Sequence, residues 1–244
     1  MAQRSIQYKG HTFEINYEIL NADEKVDLIV LHGWGSNKEL MKKSFSPYMK
    51  GFRHIYIDLP GFGKSTCSMA LESADVARIV ELFMIHVNAQ KDVILGHSFG
   101  GKVALLLKPK VLILVASAGI YIPKSLSVQA KIRATKFFNF FGLSRLRSFF
   151  VAADAKELSQ PMYETFKKVV NEDMAEEFKS YKGKALLCWG ESDTATPLSS
   201  AFAIEALIED AKLEIYKGDH YFFMQNAEDI SQKVVATFLE TLEH

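Results

Sequence analysis

Gly96-His97-Ser98-Phe99-Gly100-Gly101 follows directly on the apolar run Val93-Ile94-Leu95. The pattern G-x-S-x-G at the end of such a run describes a strand that turns sharply into a helix, with a serine at the apex. So tight a turn strains its apex residue, and positions 96 and 100 must be glycine because a β-carbon at either would collide with the neighbouring strand or helix. The Ser98 hydroxyl is thereby held clear of its own backbone. Unpaired N–H groups at the start of the following helix can also stabilise negative charge forming on a substrate oxygen. A serine hydroxyl is a weak nucleophile near neutral pH, so chemistry at Ser98 demands a histidine to take its proton and a carboxylate to hold that histidine.

Both are available in loops that follow apolar runs. Trp189-Gly190-Glu191-Ser192-Asp193-Thr194-Ala195-Thr196-Pro197 comes after one run, and Lys217-Gly218-Asp219-His220-Tyr221 after the last. His220 is the candidate base. His97 adjoins Ser98 and points away from it in the turn, whereas His11, His54 and His86 fall at a hairpin, a strand start and a helix. His32 reads as a hydrogen-bonding scaffold for its own loop. For the acid, Asp193 competes with Glu191 in the same loop and with Asp219 beside the histidine. Adjacent residues rarely orient each other's side chains, and Asp193 stands four positions before a proline that can open a helix, so Asp193 is preferred. An oxyanion site needs two donors: the backbone N–H of Phe99 is one, and that of Trp34, in Leu31-His32-Gly33-Trp34-Gly35-Ser36, is the expected second.

Convergence of these residues requires strands that end on one rim. Leu28–Leu31, Ile55–Ile57, Val93–Leu95, Val111–Val115, Ala185–Trp189 and Leu213–Tyr216 are mostly short continuous apolar runs. They alternate with helix-patterned segments such as Ala74–Val87, Ala201–Ile208 and Ile230–Leu239, which predicts parallel strands covered on both faces by crossover helices. Ile6–Tyr8 and Thr12–Leu20 instead alternate apolar with polar residues around Gly10, as an antiparallel hairpin at the sheet edge would. Residues just beyond the ends of parallel strands meet on the same rim however far apart they lie in sequence.

One segment breaks the alternation. Residues 121–182 show nothing strand-like and are expected to form a helical cap, or lid, inserted between core segments 1–120 and 183–244. The first half of the cap carries Phe137, Phe138, Phe140, Phe141, Phe149 and Phe150, together with Lys124, Lys131, Arg133, Lys136, Arg145 and Arg147. It has no Asp or Glu from Tyr121 to Phe150. Its aromatic residues either line an apolar pocket or dock the cap on the sheet, and its cations read first as a solvated helix face.

Across 244 residues, Lys plus Arg and Asp plus Glu balance at 29 each, so no overall charge draws the chain to nucleic acid or an anionic membrane. A small-molecule partner is the default. Cys67 and Cys188 lack metal-ligand or disulfide spacing. The first eight residues carry no apolar signal region and no run is long enough to span a membrane, which predicts a cytoplasmic protein. Leu242-Glu243-His244 reads as the start of an affinity tag, so His244 is given no role.

Together, His32-Gly33-Trp34-Gly35, Asp58-Leu59-Pro60-Gly61-Phe62-Gly63-Lys64-Ser65, the Ser98 turn, the Asp193 loop and His220 resemble, in order and across nearly the whole chain, the α/β-hydrolase superfamily. The resemblance implies an eight-stranded, mostly parallel sheet flanked by helices, a helical lid inserted after the sixth strand, and cofactor-free, metal-free acyl transfer to water. It carries the nucleophile, acid and base onto Ser98, Asp193 and His220. The helix after the turn is shorter than relatives usually have, ending before Lys108-Pro109-Lys110. Relatives that cleave carbon–carbon bonds in dienoate ring-cleavage products commonly carry Asn before the nucleophile and Trp after the histidine; here these are His97 and Tyr221. Cleavage of a carboxylic ester is therefore the leading expectation. The alternatives are a dienoate hydrolase, an esterase whose substrate rides on acyl carrier protein received by the basic lid, and a ligand-binding protein on the same fold.

Overall fold

The computed structural model describes residues 2–121 and 159–242. Eight strands form one sheet: β1 Ala2–Tyr8, β2 His11–Leu20, β3 Asp27–Leu31, β4 Arg53–Ile57, β5 Val93–His97, β6 Val111–Val115, β7 Lys184–Gly190 and β8 Ala211–Tyr216. Their spatial order is β1-β2-β4-β3-β5-β6-β7-β8. Pairing is antiparallel for β1–β2 and β2–β4 and parallel from β4 onward, so the hairpin forms the expected edge. Lys9 and Gly10 both take positive φ between the facing residues Tyr8 and His11, the two-residue loop that matches strand twist. β3, β5 and β6 are buried along their whole length, as continuous apolar runs require.

The helices among the described residues are α1 Lys38–Phe45, α2 Ser73–His86, α3 Phe99–Leu107, α4 Gln160–Val169, α5 Ala175–Ser180, α6 Leu198–Leu207 and α7 Phe223–Glu240. α1 and α7 pack together on one face of the sheet, with Phe45 and Phe223 stacked 5.9 Å apart. α2, α3, α5 and α6 form a connected layer on the other. α3 is short, as expected, because Lys108 adopts the left-handed conformation that ends a helix.

Several elements start earlier than the sequence reading predicts, β1 at Ala2, α6 at Leu198 and α7 at Phe223 among them. α7 begins at Phe223 rather than Ile230, because Phe223 and Ala227 continue its buried stripe back to the His220 loop. α1 had no counterpart in that reading; Asn37 caps it by accepting from the N–H groups of Glu39 and Leu40. In the expected cap, 159–182 supply α4 and α5, and 122–158, with its phenylalanines, lysines and arginines, lies outside the described residues. Among the described residues no helix is long and apolar enough to cross a membrane.

Candidate active site

Ser98 sits at φ 51°, ψ −114°, backbone values that an L-residue adopts only when its surroundings enforce them. The enforcement is visible. Ser98 N–H donates to Val115 O at 3.1 Å, while Ser98 O accepts from Gly101 N at 3.0 Å and Ala118 N at 3.1 Å, tying the turn to the end of β6. A β-carbon on Gly96 would run into the Gly100 carbonyl, and one on Gly100 would lie 2.6 Å from the carbonyl oxygen of His32. Phe99 is the first residue of α3, where an N–H has no intrahelical acceptor.

The structure brings Asp193 to His220 and leaves Glu191 and Asp219 exposed on the surface. Asp193 Oδ2 accepts from His220 Nδ1 at 2.8 Å and from the Thr196 hydroxyl at 2.9 Å. Asp193 Oδ1 accepts from the N–H groups of Ala195 at 2.8 Å and Thr196 at 2.9 Å. Burial alone would raise this carboxyl, but the hydrogen bonds from His220 and Thr196 outweigh it and hold the group below the ordinary Asp range. A carboxylate only accepts, so His220 Nδ1 carries the proton of that hydrogen bond.

His32, between β3 and the Trp34 loop, donates from Nδ1 to Gly33 O at 2.7 Å and accepts from Leu59 N–H at Nε2, 3.0 Å away. It acts as the scaffold its position implies, and complete burial pushes its pKa down to about 4. The Leu59 segment is anchored in turn by a fully buried ion pair: Lys38 Nζ meets Asp58 Oδ2 at 2.9 Å, with both side chains 1% exposed. Asp58 also accepts from the Lys38 and Lys64 N–H groups. The loop expected to supply the second oxyanion donor is thus fixed from below by side chains of α1 and the β4 loop.

Trp34, Ser98 and Phe99 share the wall of a cavity of about 200 Å³ with Phe166, Ala195 and Thr196. The Trp34 ring sits 5.5 Å from Phe99 and 5.3 Å from Phe166 of α4. A second cavity of about 260 Å³ adjoins it, with Lys102, Ala118, Val170, Ala195 and Thr196 common to both. Lys102 is nearly sealed from solvent; its ammonium donates to Val169 O at 2.8 Å and pairs with Glu172 at 2.7 Å, joining α3 to the α4–α5 connection. Burial lowers its pKa, and Glu172 opposes that shift.

Thr196, Lys102 and the Lys38–Asp58 pair were not legible as site residues. Thr196 had a signal, since a hydroxyl three positions after a loop aspartate can cap it. The other two carry none short of the fold. His97 also has a partner that no local pattern announces: its Nε2 lies 3.1 Å from the carbonyl oxygen of His220.

The family model described as "Alpha/beta hydrolase family" matches residues 28–233. Among curated proteins, a pimeloyl-[acyl-carrier protein] methyl ester esterase of Vibrio campbellii is 40% identical over 78 residues, covering 32% of this chain and 29% of that protein. One of the same description from Pectobacterium carotovorum is 36% identical over a stretch of the same length. The matched stretch thus spans under a third of these curated relatives. Among solved structures, an esterase from Exiguobacterium antarcticum superposes with a TM-score of 0.75 at 21% identity, covering 96% of this chain and 98% of that one. A meta-cleavage product hydrolase from Pseudomonas fluorescens superposes with a TM-score of 0.70 at 20% identity, covering 98% of each chain. At such identities these structures speak for the shared fold.

Proposed function

The chain belongs to the alpha/beta hydrolase family, and on that basis we propose that it is a serine hydrolase cleaving a carboxylic ester through an acyl-enzyme. The observation that carries this reading is the 2.8 Å hydrogen bond between Asp193 and His220, whose ring packs 4.7 Å from that of His97, the residue before the strained Ser98 turn. Ser98 Oγ attacks the acyl carbon as His220 takes its proton. Asp193 holds the imidazole in one tautomer and offsets the positive charge that forms. The N–H groups of Phe99 and Trp34 receive the oxyanion, the leaving alcohol takes the proton back from His220, and water activated by the same ring releases the acid.

A panel of aryl esters of graded acyl length, run beside dienoate ring-cleavage products and with fluorophosphonate labelling, tests the proposal. Ester turnover and labelling are both expected to vanish in Ser98→Ala while its thermal melt is unchanged. Ester turnover that survives this substitution overturns the mechanism, and exclusive turnover of dienoates replaces the ester with a carbon–carbon bond.

Within the same mechanism, the curated relatives' names favour a methyl ester carried on acyl carrier protein as the natural substrate. The run from Tyr121 to Phe150, cationic and free of carboxylates, is the sequence feature that suits an acidic carrier. Neutralising Arg133, Arg145 and Arg147 then slows a carrier-bound ester and spares a small one; equal effects on both exclude the carrier.

A further inference from the structure

His97 ends β5, is 1% exposed, and is the residue immediately before the proposed nucleophile. Its ring packs 4.7 Å from that of His220, 4.8 Å from Phe223 and 5.6 Å from Tyr221, so it lies against the base loop and the start of α7. A carbonyl oxygen only accepts, and the His220 carbonyl stands 3.1 Å from His97 Nε2, which therefore carries the proton. The other nitrogen, Nδ1, is buried with no hydrogen-bond partner. A phenylalanine would fill this space without the unpartnered Nδ1, so what the imidazole adds is the N–H that the His220 carbonyl accepts.

His220 is otherwise held through its side chain, by Asp193 on Nδ1. That contact engages the ring nitrogen nearer the backbone and makes no hydrogen bond to the backbone of His220 itself. The loop is shaped around Gly218 at φ 127°, with Gly218 O accepting from Ser192 N–H at 3.0 Å and Phe222 N–H donating to Asp219 O at 3.1 Å. His97 adds a tie of another kind, running from the backbone of the base to the side chain covalently next to Ser98. We propose that His97 is a positioning residue, a clamp that fixes the backbone of the base relative to the nucleophile turn. The proposal rests on the roles of Ser98 and His220 proposed above.

The protonation state suits the role. Burial first, and then the neighbouring His220, push the pKa of His97 down to about 3. The clamp therefore stays uncharged near neutral pH, and places no second positive charge beside His220 when its ring takes the proton of Ser98.

The test uses the full chain with three replacements: His97→Phe, which fills the volume without a donor; His97→Gln, whose amide nitrogen reaches about as far as Nε2; and His97→Asn, whose amide stops short. Turnover of a p-nitrophenyl ester and the rate of fluorophosphonate labelling are measured per folded molecule. The expected result is a kcat ten- to a hundredfold lower in His97→Phe, KM within twofold of the wild type, labelling slowed by the same factor, and most of the loss recovered in His97→Gln. A folded His97→Phe protein with kcat within threefold of the wild type overturns the proposal. Should His97→Phe fail to fold, the amide pair decides: Gln at least tenfold faster than Asn supports the clamp, and equal rates overturn it. Failure of the triad reading is separable, since it appears as turnover persisting in Ser98→Ala whatever His97 does.

Discussion

Replacing Asp193 by asparagine keeps the side chain's shape and removes one charge, and the donors around it decide how the new amide must sit. Asp193 Oδ1 accepts from two backbone N–H groups, those of Ala195 and Thr196, at 2.8 and 2.9 Å. Both are donors, so the asparagine must turn its oxygen to them and its NH2 to the place of Oδ2, facing His220 Nδ1. An NH2 donates, so Nδ1 must become the acceptor and the ring proton moves to Nε2, the nitrogen that should receive the Ser98 proton. The Thr196 hydroxyl keeps an outlet in Ala116 O at 3.0 Å, so no buried donor is stranded. Two losses therefore coincide, the tautomer and the charge that offsets the imidazolium. The corresponding replacement in serine proteases costs about 10⁴ in kcat, or roughly 5 kcal/mol at about 1.4 kcal/mol per tenfold change. The assay is steady-state hydrolysis of a p-nitrophenyl ester with a melting curve of each protein. Asp193→Asn should lose three to five orders of magnitude in kcat with KM little changed and a nearly native melt. Glu191→Gln, on an exposed side chain, should stay near the wild type. An Asp193→Asn protein within tenfold of wild-type kcat, or a larger loss in Glu191→Gln, would refute the assignment.

Three further outcomes are expected. His32 and His97, with pKa values down to about 4 and about 3, stay neutral in the fold at pH values where an unfolded histidine, near pH 6.5, has taken a proton. The unfolded state then binds more protons, so stability falls as pH drops below about 6.5 and the loss is complete only below the folded values. Denaturant titrations between pH 6 and 5 should show a slope approaching roughly 2.5 kcal/mol per pH unit from the pair, and a flat profile would refute it. Lys38→Met and Lys102→Met both break ion pairs of nearly sealed lysines, but Asp58 is 1% exposed and Glu172 29%. The first should cost about 3–5 kcal/mol in urea unfolding and the second clearly less, because water can take over a half-open carboxylate; the reverse order would be wrong for these burials. Gly100→Ala forces a β-carbon against the His32 carbonyl and should cut fluorophosphonate labelling of Ser98 at least a hundredfold. An alanine enzyme that labels normally would show that the turn has room to spare.

Much of the architecture was legible because burial on both faces leaves continuous apolar runs, and β5, β6 and β7 are such runs bounded by glycine, proline or charge. The Ser98 turn was legible for a different reason: its glycines are demanded by the close approach of Gly96 to Gly100 and of Gly100 to His32, and few other residues meet that demand. Asp193 and His220 followed from the rule that parallel strands share a rim. α1 was hidden because its signal is one capping asparagine and a weakly apolar face, with Lys38 itself buried. The partners of Lys38, Lys102 and His97 were hidden because each lies on another element, and long-range pairing of a buried polar group leaves no mark on local spacing. Position 97 is the plainest case: the turn predicts that its side chain leaves Ser98, and says nothing of a carbonyl from the far end of the chain waiting there.

The chain contains two tryptophans, and the site has given them unlike surroundings. Trp34 is half-buried on the cavity wall, ringed by Phe62, Phe99 and Phe166. Trp189 is fully buried and donates from Nε1 to Thr196 O at 2.7 Å, on the same residue whose hydroxyl caps Asp193. One indole thus lines the cavity beside Ser98, while the other is enclosed by protein and shares Thr196 with Asp193. Intrinsic emission therefore has a solvent-sensitive channel and an internal reference in the same molecule. A group attached to Ser98 should shift the first and leave the second, so the acyl-enzyme proposed above would be visible without a chromogenic substrate.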